Sequence, residues 1–288
     1  MRYREKIFTK FNHAIRRVKI GTKLTFHELG DFHSFSDMFC EEALAAYIKR
    51  WKDSFNAGDH YAFFLGDIFN DMRKTDQMRL DTLKVAGTDF RKLVQLFMEE
   101  AESLAKRLEF LKGCTFSGVQ GNHSAWLDHL NISIDEFFLN ILKAKYGGAV
   151  SVNIVRVFTT TNRYVDLKFL LFHGKTATMY IGSNLNELER AANKFPDMHV
   201  VFAGHAHQQI TAPVAKIFSE YKEDIKQHET HLIRCGSFQK NFLEDHGNYA
   251  TESMLRPSVL RMPRVEVTIE QEIHNNQKVI VPYIEVCS

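Results

Sequence analysis

Cysteine is scarce, with four residues in 288. Cys40, Cys114, Cys235 and Cys287 lie far apart and form no Cys-x-x-Cys pair. That spacing argues against a thiolate zinc site and a disulfide framework, so reduced and mostly buried thiols are expected. Long apolar runs are missing as well. No stretch has the length and apolarity to span a bilayer, and the first residues lack the apolar core of a signal peptide, so a cytoplasmic protein with no membrane contact is expected. There is no internal repeat and no low-complexity tract. A net charge of only +2 means that the molecule as a whole is not a polycation.

What the chain does have is ordinary globular composition, 44% hydrophobic and 25% charged, and enough length to bury a core as one domain over residues 1–288. Charge is uneven only at the start. Among the first twenty residues Arg2, Arg4, Lys6, Lys10, Arg16, Arg17 and Lys19 face a single acid, Glu5. The spacing of Ile7, Phe11, Ile15 and Val18 predicts a basic amphipathic helix over residues 1–20. Its other reading is an electrostatic footprint for a polyanion such as nucleic acid.

From there strands and helices alternate. Lys23–Leu29 and Tyr61–Leu65 read as buried strands, separated by a helix from about Ser36 to Phe55 with Leu44, Tyr47, Ile48 and Trp51 at helical spacing. Strand, helix, strand in that order predicts a right-handed parallel crossover. Residues 75–112 are rich in helix formers and predict two helices broken near Gly87. A third strand over 114–119 follows, then helical sequence up to Gly147-Gly148. Strands are expected at 151–158, 167–172, 200–203, 231–234, 264–270 and 278–286, the last two joined by a turn at Asn275-Asn276. Asn184 and Glu187 read as a capping pair opening a helix to about Lys194. Two sheets between helices fit this order.

Polar residues recur where these strands run out. Asp31 and His33 follow the first, Asp67 the second, Asn122 and His123 the third, His173 the strand at 167–172, and His205 and His207 the strand at 200–203. In an open α/β sheet the carboxyl ends of the strands border the crevice, so these side chains should converge. All are oxygen or imidazole donors, a set that suits manganese, zinc, iron(II) or nickel better than calcium or copper(I). Seven ligands are too many for one such ion and divide into two sets sharing a carboxylate, which would hold two ions about 3.5–4 Å apart. Two divalent cations against Asp31, Asp67 and a hydroxide leave a positive site suited to a phosphate oxygen. Each residue alone reads as a turn or packed polar residue; the ordered set does not. His27, His60, His129, His199, His228, His231, His246 and His274 read as packed or surface histidines, with His199 also a candidate support for the site. Arg73 and Lys74 read as a solvated pair that could steer phosphate.

Asp31-x-His33, Gly66-Asp67-x-x-Asn70, Gly121-Asn122-His123, His173-Gly174 and Gly204-His205-x-His207, in that order, resemble the five signature blocks of calcineurin-like metallophosphoesterases, of a viral or bacterial type. The resemblance runs from about Lys23 to Gln208. It implies an α/β fold, a four-layer α/β/β/α sandwich of two mixed sheets flanked by helices. It also implies two divalent metal ions, manganese first and zinc, iron or nickel otherwise. One would be held by Asp31, His33, Asp67 and His207, the second by Asp67, Asn122, His173 and His205. His123 would contact the phosphoester and protonate the leaving oxygen. The implied activity is hydrolysis of a phosphoester by a bridging hydroxide, as a phosphodiesterase or nuclease. The alternatives are a phosphomonoesterase of the same fold and a catalytically weak interaction or nucleic-acid-binding module. Two departures stand out: Ser124 follows Gly-Asn-His where many members carry an acid, and Asn70 ends the second block. Cys235-Gly236-Ser237-Phe238, with Tyr249-Ala250 downstream, resembles carboxyl-terminal sequence in some members.

Overall fold

The computed structural model describes residues 8–34, 36, 39–69, 90–123, 133–160, 162–175, 180–219, 225–240, 260, 262–274 and 277–287. They form two six-stranded mixed sheets. Sheet I contains β2 (Lys23–Leu29), β3 (His60–Phe64), β4 (Thr115–Gly118), β5 (Lys145–Tyr146), β11 (Arg264–His274) and β12 (Gln277–Cys287), in the order β12-β11-β2-β3-β4-β5. Its strands β2 to β5 are parallel, and β11 and β12 close one side as an antiparallel hairpin. Sheet II contains β1 (Thr9–Ile15), β6 (Val150–Phe158), β7 (Tyr164–Phe172), β8 (Val200–Ala203), β9 (Ile210–Ser219) and β10 (Ile225–Arg234), in the order β1-β6-β7-β8-β10-β9. Here β7, β8 and β10 run parallel.

The strands near the middle of the sheets are apolar on both faces because both faces are covered. Successive residues of β3 point opposite ways, so Phe63 enters the layer between the sheets while Phe64 enters the layer under the helices. Helices α1 (Glu41–Ala57), α2 (Phe90–Arg107) and α3 (Ile134–Ile141) cover sheet I through Leu44, Phe97, Leu104 and Phe138. Helix α4 (Ile181–Lys194) covers sheet II through Leu188 and Ala192. Between the sheets Phe26, Phe63, Phe169 and Phe202 form a buried aromatic layer, with Phe26 and Phe169 centroids 4.8 Å apart and Phe63 and Phe169 5.0 Å apart. Each such ring contributes about 1.5–3 kcal/mol by burial. The result is a four-layer α/β/β/α sandwich.

Four expectations need correction. Residues 9–15 are an edge strand parallel to β6, where a helix was expected. Phe11 and Ile15 are four apart, a spacing shared by a helical face and by every second residue of a strand. Exposure alternates along β1 with a period of two, and His13 packs inward against Phe116 at 4.5 Å. Asn184 is no cap: α4 begins after Tyr180, and Asn184 lies buried inside it, donating to Gln208 Oε1 at 3.0 Å. Strand β9 was not anticipated; Pro213 within it is tolerated because β9 is an edge. His199 precedes β8 at the end of sheet II away from the candidate site, where its Nδ1 accepts from the Lys168 amide.

The second half of the 75–112 segment is helical, as α2 and a 3-10 turn at Glu109–Leu111. The break at Gly87, the turn at Asn275-Asn276, and Asn70, Arg73, Lys74, Ser124, Tyr249 and Ala250 lie outside the described residues. No described helix is long and apolar enough to cross a membrane.

Candidate metal centre

Every candidate ligand follows the carboxyl end of a parallel strand. Asp31 and His33 come after β2, Asp67 after β3, Asn122 and His123 after β4, His173 after β7, and His205 and His207 after β8. The loops continue the strand ladders for a few residues. The amides of Asp31 and His33 donate to the carbonyls of Gly66 and Asp67 at 3.1 and 3.0 Å, and the Gly204 amide donates to the His173 carbonyl at 3.0 Å. The side chains are therefore delivered by backbone that is itself hydrogen-bonded.

That backbone is strained where the chemistry sits. Seven described non-glycine residues have positive φ, and five of them are Asp31 (49°), His33 (51°), Asp67 (48°), His205 (73°) and His207 (52°). Left-handed backbone is unfavourable for residues with a Cβ, and its concentration at one cluster is characteristic of functional sites. The glycines of the motifs have an equally physical reason. A Cβ at Gly121 would sit 2.1 Å from both the Asp67 amide nitrogen and Asp67 Oδ1, and one at Gly66 would sit 2.3 Å from the Gly121 nitrogen. A Cβ at Gly204 would lie 2.7 Å from Asp31 Oδ2. The two loops of sheet I touch backbone to backbone, and Asp31 fills the space beside Gly204.

The structure brings all seven sequence-expected ligands and His123 into one cluster. His33 Nε2 lies 3.0 Å from His207 Nε2 and 3.8 Å from Asp31 Oδ1, which is 3.5 Å from His207 Nε2. His173 Nε2 lies 2.9 Å from Asn122 Oδ1 and 2.9 Å from Asp67 Oδ2. His205 joins Asp67 and His173 in a third ligand group, with its ring centroid 5.1 Å from that of His173. Asp31, His33, Asp67, His123 and His173 are buried, His205 and His207 are half-buried, and Asn122 is exposed.

The donor set fits divalent ions. Donors about 2.1 Å from a common ion stand roughly 3–3.5 Å from one another, and these contacts bracket that range. Three groups of ligand atoms could each hold an ion: Asp31, His33 and His207; His33, Asp67 and His123; and Asp67, His173 and His205. Asp67 divides its labour. Oδ1 accepts the His123 amide at 2.9 Å, while Oδ2 is buried and turned toward the histidine rings. Around Oδ2 stand three imidazole Nε2 atoms, of His173 at 2.9 Å, His33 at 3.9 Å and His123 at 3.9 Å. The His173 Nδ1 is 2.7 Å from the Leu65 carbonyl, which fixes the proton on Nδ1 and turns Nε2 inward. The Nδ1 of His33 is buried with no such partner.

The histidines offset part of the carboxylate charge in the cluster. Burial alone would raise both aspartates, but the imidazoles of His207 and His33 hold Asp31, and those of His173 and His33 hold Asp67, well below the usual carboxylate range. Burial alone would lower His173, but the adjacent Asp67 pushes it up to about 9. Burial and then the charge of His173 bring His205 down to about 4. A cation would take the place of the His173 proton.

Several supporting residues were not legible as such. The His205 amide donates to both Asp31 oxygens at 3.0 and 2.9 Å, Cys235 Sγ lies 3.1 Å from Asp31 Oδ2, and Ser237 Oγ donates to the Asp31 carbonyl at 2.8 Å. The stretch Cys235–Phe238 thus locks Asp31, and its resemblance to family sequence was the available signal. Asp135, at the start of α3, accepts the Gly121 amide at 2.9 Å. Arg234 is wholly buried; it donates to the Gly204 carbonyl at 3.0 Å and pairs with Glu187 at 2.7 Å. Glu28 lies buried behind Asp31 with neither oxygen hydrogen-bonded. Burial and the charge of Asp31 push its carboxyl well up, so it stays neutral and adds no second charge there. On the helix side Ser34 Oγ donates to Glu100 of α2.

No family model and no curated protein matches the chain. Solved structures do match over most of its length. One is a predicted phosphoesterase from Streptococcus pneumoniae, at 13% identity, covering 92% of this chain and 99% of that one with a TM-score of 0.36. Another is the zinc complex of Vps29 from Entamoeba histolytica, at 9% identity, covering 91% and 99% with a TM-score of 0.40. A third is a 5'-nucleotidase from Candida albicans, at 11% identity, covering 93% and 52% with a TM-score of 0.36. The likeness is one of loose overall shape, and the functional argument rests on the cluster itself.

Proposed function

We propose that the protein is a metal-dependent phosphoester hydrolase of the calcineurin-like metallophosphoesterase type. In this reading Asp31, His33, Asp67 and His207 hold one divalent ion, and Asp67, Asn122, His173 and His205 hold a second. The observation that carries the reading is Asp67 Oδ2, wholly buried and faced by three imidazole nitrogens, the nearest that of His173 at 2.9 Å. A buried carboxylate needs a cationic or metal partner, and a bound ion among these imidazoles would supply one. Bound ions, manganese first among the candidates, would supply Lewis acidity toward a phosphoryl oxygen and would acidify a water molecule.

The rest falls to the chain. The His205 amide and Cys235 thiol hold Asp31 in place, and the imidazoles of His207 and His33 keep its carboxyl well below the usual carboxylate range. Asn122 offers an amide oxygen at the exposed rim, where substrate would arrive. His123 has its backbone fixed on Asp67 and its ring against His33, with centroids 4.8 Å apart. In this reading it gives a proton to the departing alkoxide. A diester is the preferred substrate in this reading, because the motif set resembles the nuclease branch of the family more than its protein phosphatases. Ser124 in place of an acid favours the second reading, a fold retained for binding with weak or no turnover.

Metal analysis of purified protein, followed by hydrolysis of bis-p-nitrophenyl phosphate and p-nitrophenyl phosphate with manganese, tests the proposal, with Asp67→Ala as the blank. Diester hydrolysis that is lost with Asp67→Ala is expected. Activity on the monoester alone would overturn the diester preference, and stoichiometric metal without hydrolysis would favour the binding module.

A further inference from the structure

A cavity of about 350 Å³ lies at the other end of the sandwich, lined by Arg17, Val18, Lys19, Ile20, Thr159, Thr160, Arg163, Gln271 and Ile280. Its place follows from the strand order. It is built from the turn that precedes β2 and from the β6–β7 turn, whereas the metal centre follows the carboxyl ends of β2 and β7. The nine residues of β7 therefore separate the two, a span of about 30 Å.

The cavity is held by backbone from both sheets. The Val18 amide donates to the Phe158 carbonyl of sheet II at 3.0 Å, and the Gly21 amide donates to the Ile269 carbonyl of sheet I at 2.7 Å. The amides of Thr159 and Thr160 donate to the Arg163 carbonyl at 3.0 and 3.4 Å, curling that turn toward the cavity. Arg17 is one of two described non-glycine residues outside the metal centre with positive φ, at 64°.

Its chemistry is one-sided. Arg17, Lys19 and Arg163 are exposed, and among the described residues none of them has an ion pair and no carboxylate lines the cavity. Three uncompensated cations at one concavity repel one another and attract an anion. Two are guanidinium groups, whose planar fork suits phosphate oxygens. Val18, Ile20 and Ile280 form the other wall, and Ile20 is 44% exposed among the described residues. An inorganic phosphate would leave most of the volume and all of this wall unused. A volume of this size is typical of pockets for small organic ligands.

We infer that this cavity binds a small phosphorylated organic molecule, a nucleoside monophosphate being of suitable size, with the phosphate on Arg17, Lys19 and Arg163 and the planar group against Ile20 and Ile280. The site is independent of the metal centre and of the hydrolase reading.

Calorimetric titration of adenosine 5'-monophosphate into EDTA-stripped full-length protein tests it, since stripping removes metal-dependent binding at the other site. One site per chain is expected, retained by Asp67→Ala and weakened at least tenfold in the Lys19→Ala/Arg163→Ala double variant. Weaker binding of inorganic phosphate than of the nucleotide is also expected. Absence of binding to the stripped wild type, or equal binding by a folded double variant, would overturn the inference. So would binding of a ten-residue thymidine oligonucleotide without binding of the mononucleotide, which would mark a strand-docking groove instead.

Discussion

The two sheets contribute unequally to the metal cluster. Sheet I supplies both carboxylates, Asp31 and Asp67, with Asn122, His33 and His123, while sheet II supplies only imidazoles, His173, His205 and His207. Sheet I alone would hold two buried negative charges with the neutral Glu28 behind them, which burial strongly penalises. Sheet II brings the compensation: the imidazoles, the His205 amide and the Cys235 thiol that reach Asp31, and Arg234 bracing Gly204. The cluster is thus an interface between the sheets as much as a site. The aromatic layer of Phe26, Phe63, Phe169 and Phe202 brings the sheets together without direction, and the polar cluster fixes how they meet.

The comparison is most directly broken through the charge that both ligand sets share. With manganese, Asp67→Asn should lower bis-p-nitrophenyl phosphate hydrolysis at least about 1,000-fold, or about 4 kcal/mol of barrier. Its urea midpoint should change little, because the amide keeps the volume; a loss of activity below tenfold would remove Asp67 from its shared position. Arg234→Met tests the support given by sheet II. It should cost about 3 kcal/mol in urea unfolding, since Glu187 and the Gly204 carbonyl lose a buried partner. An unchanged midpoint would show that sheet II holds its loop without that guanidinium.

Acid titration probes the join between the sheets away from the site. His13 of β1 donates from Nε2 to Asn153 Oδ1 at 2.9 Å and packs on Phe116 of sheet I; burial lowers it from 6.5 to about 4. Between those values the unfolded chain binds a proton that the folded chain does not. This contribution is therefore fully present above pH 6.5 and falls away as the pH drops toward 4, by on the order of 2 kcal/mol. His13→Phe should flatten that part of the stability profile, and a profile identical to wild type would exclude His13 as its source. The smallest effect is expected from Ser237→Ala, which removes one hydrogen bond to the Asp31 carbonyl and should cost about 1 kcal/mol. A loss of hydrolysis far beyond that figure would mean that Asp31 tolerates no displacement.

What the sequence disclosed follows the same division. Strand ends followed by Asp, Asn or His were legible because each is a local pattern, apolar run then polar turn, and their order made the cluster readable. The parts that escaped depend on partners remote in sequence. Nothing near Arg234 announces that it braces Gly204, and nothing near Asp135 announces the Gly121 amide. Glu187 was noticed for the wrong reason: it lies three residues after Asn184, yet its partners are Arg234 of β10 and the Lys175 amide. The amino-terminal strand was misread because Phe11 and Ile15 satisfy two periodicities, and only pairing with β6 decides between them.

Strand β2 carries the first two ligands, and one of its flanks is paired by β11, with His27 opposite Arg264. Those two residues are 237 apart in the chain. At a synthesis rate of about 5–20 residues per second, that flank stays open for roughly 12–50 seconds while the intervening chain is made. During this interval the nascent protein presents an unpaired and largely apolar ribbon to its surroundings, a period in which a chaperone, or a neighbouring nascent copy, can reach it before its own hairpin does.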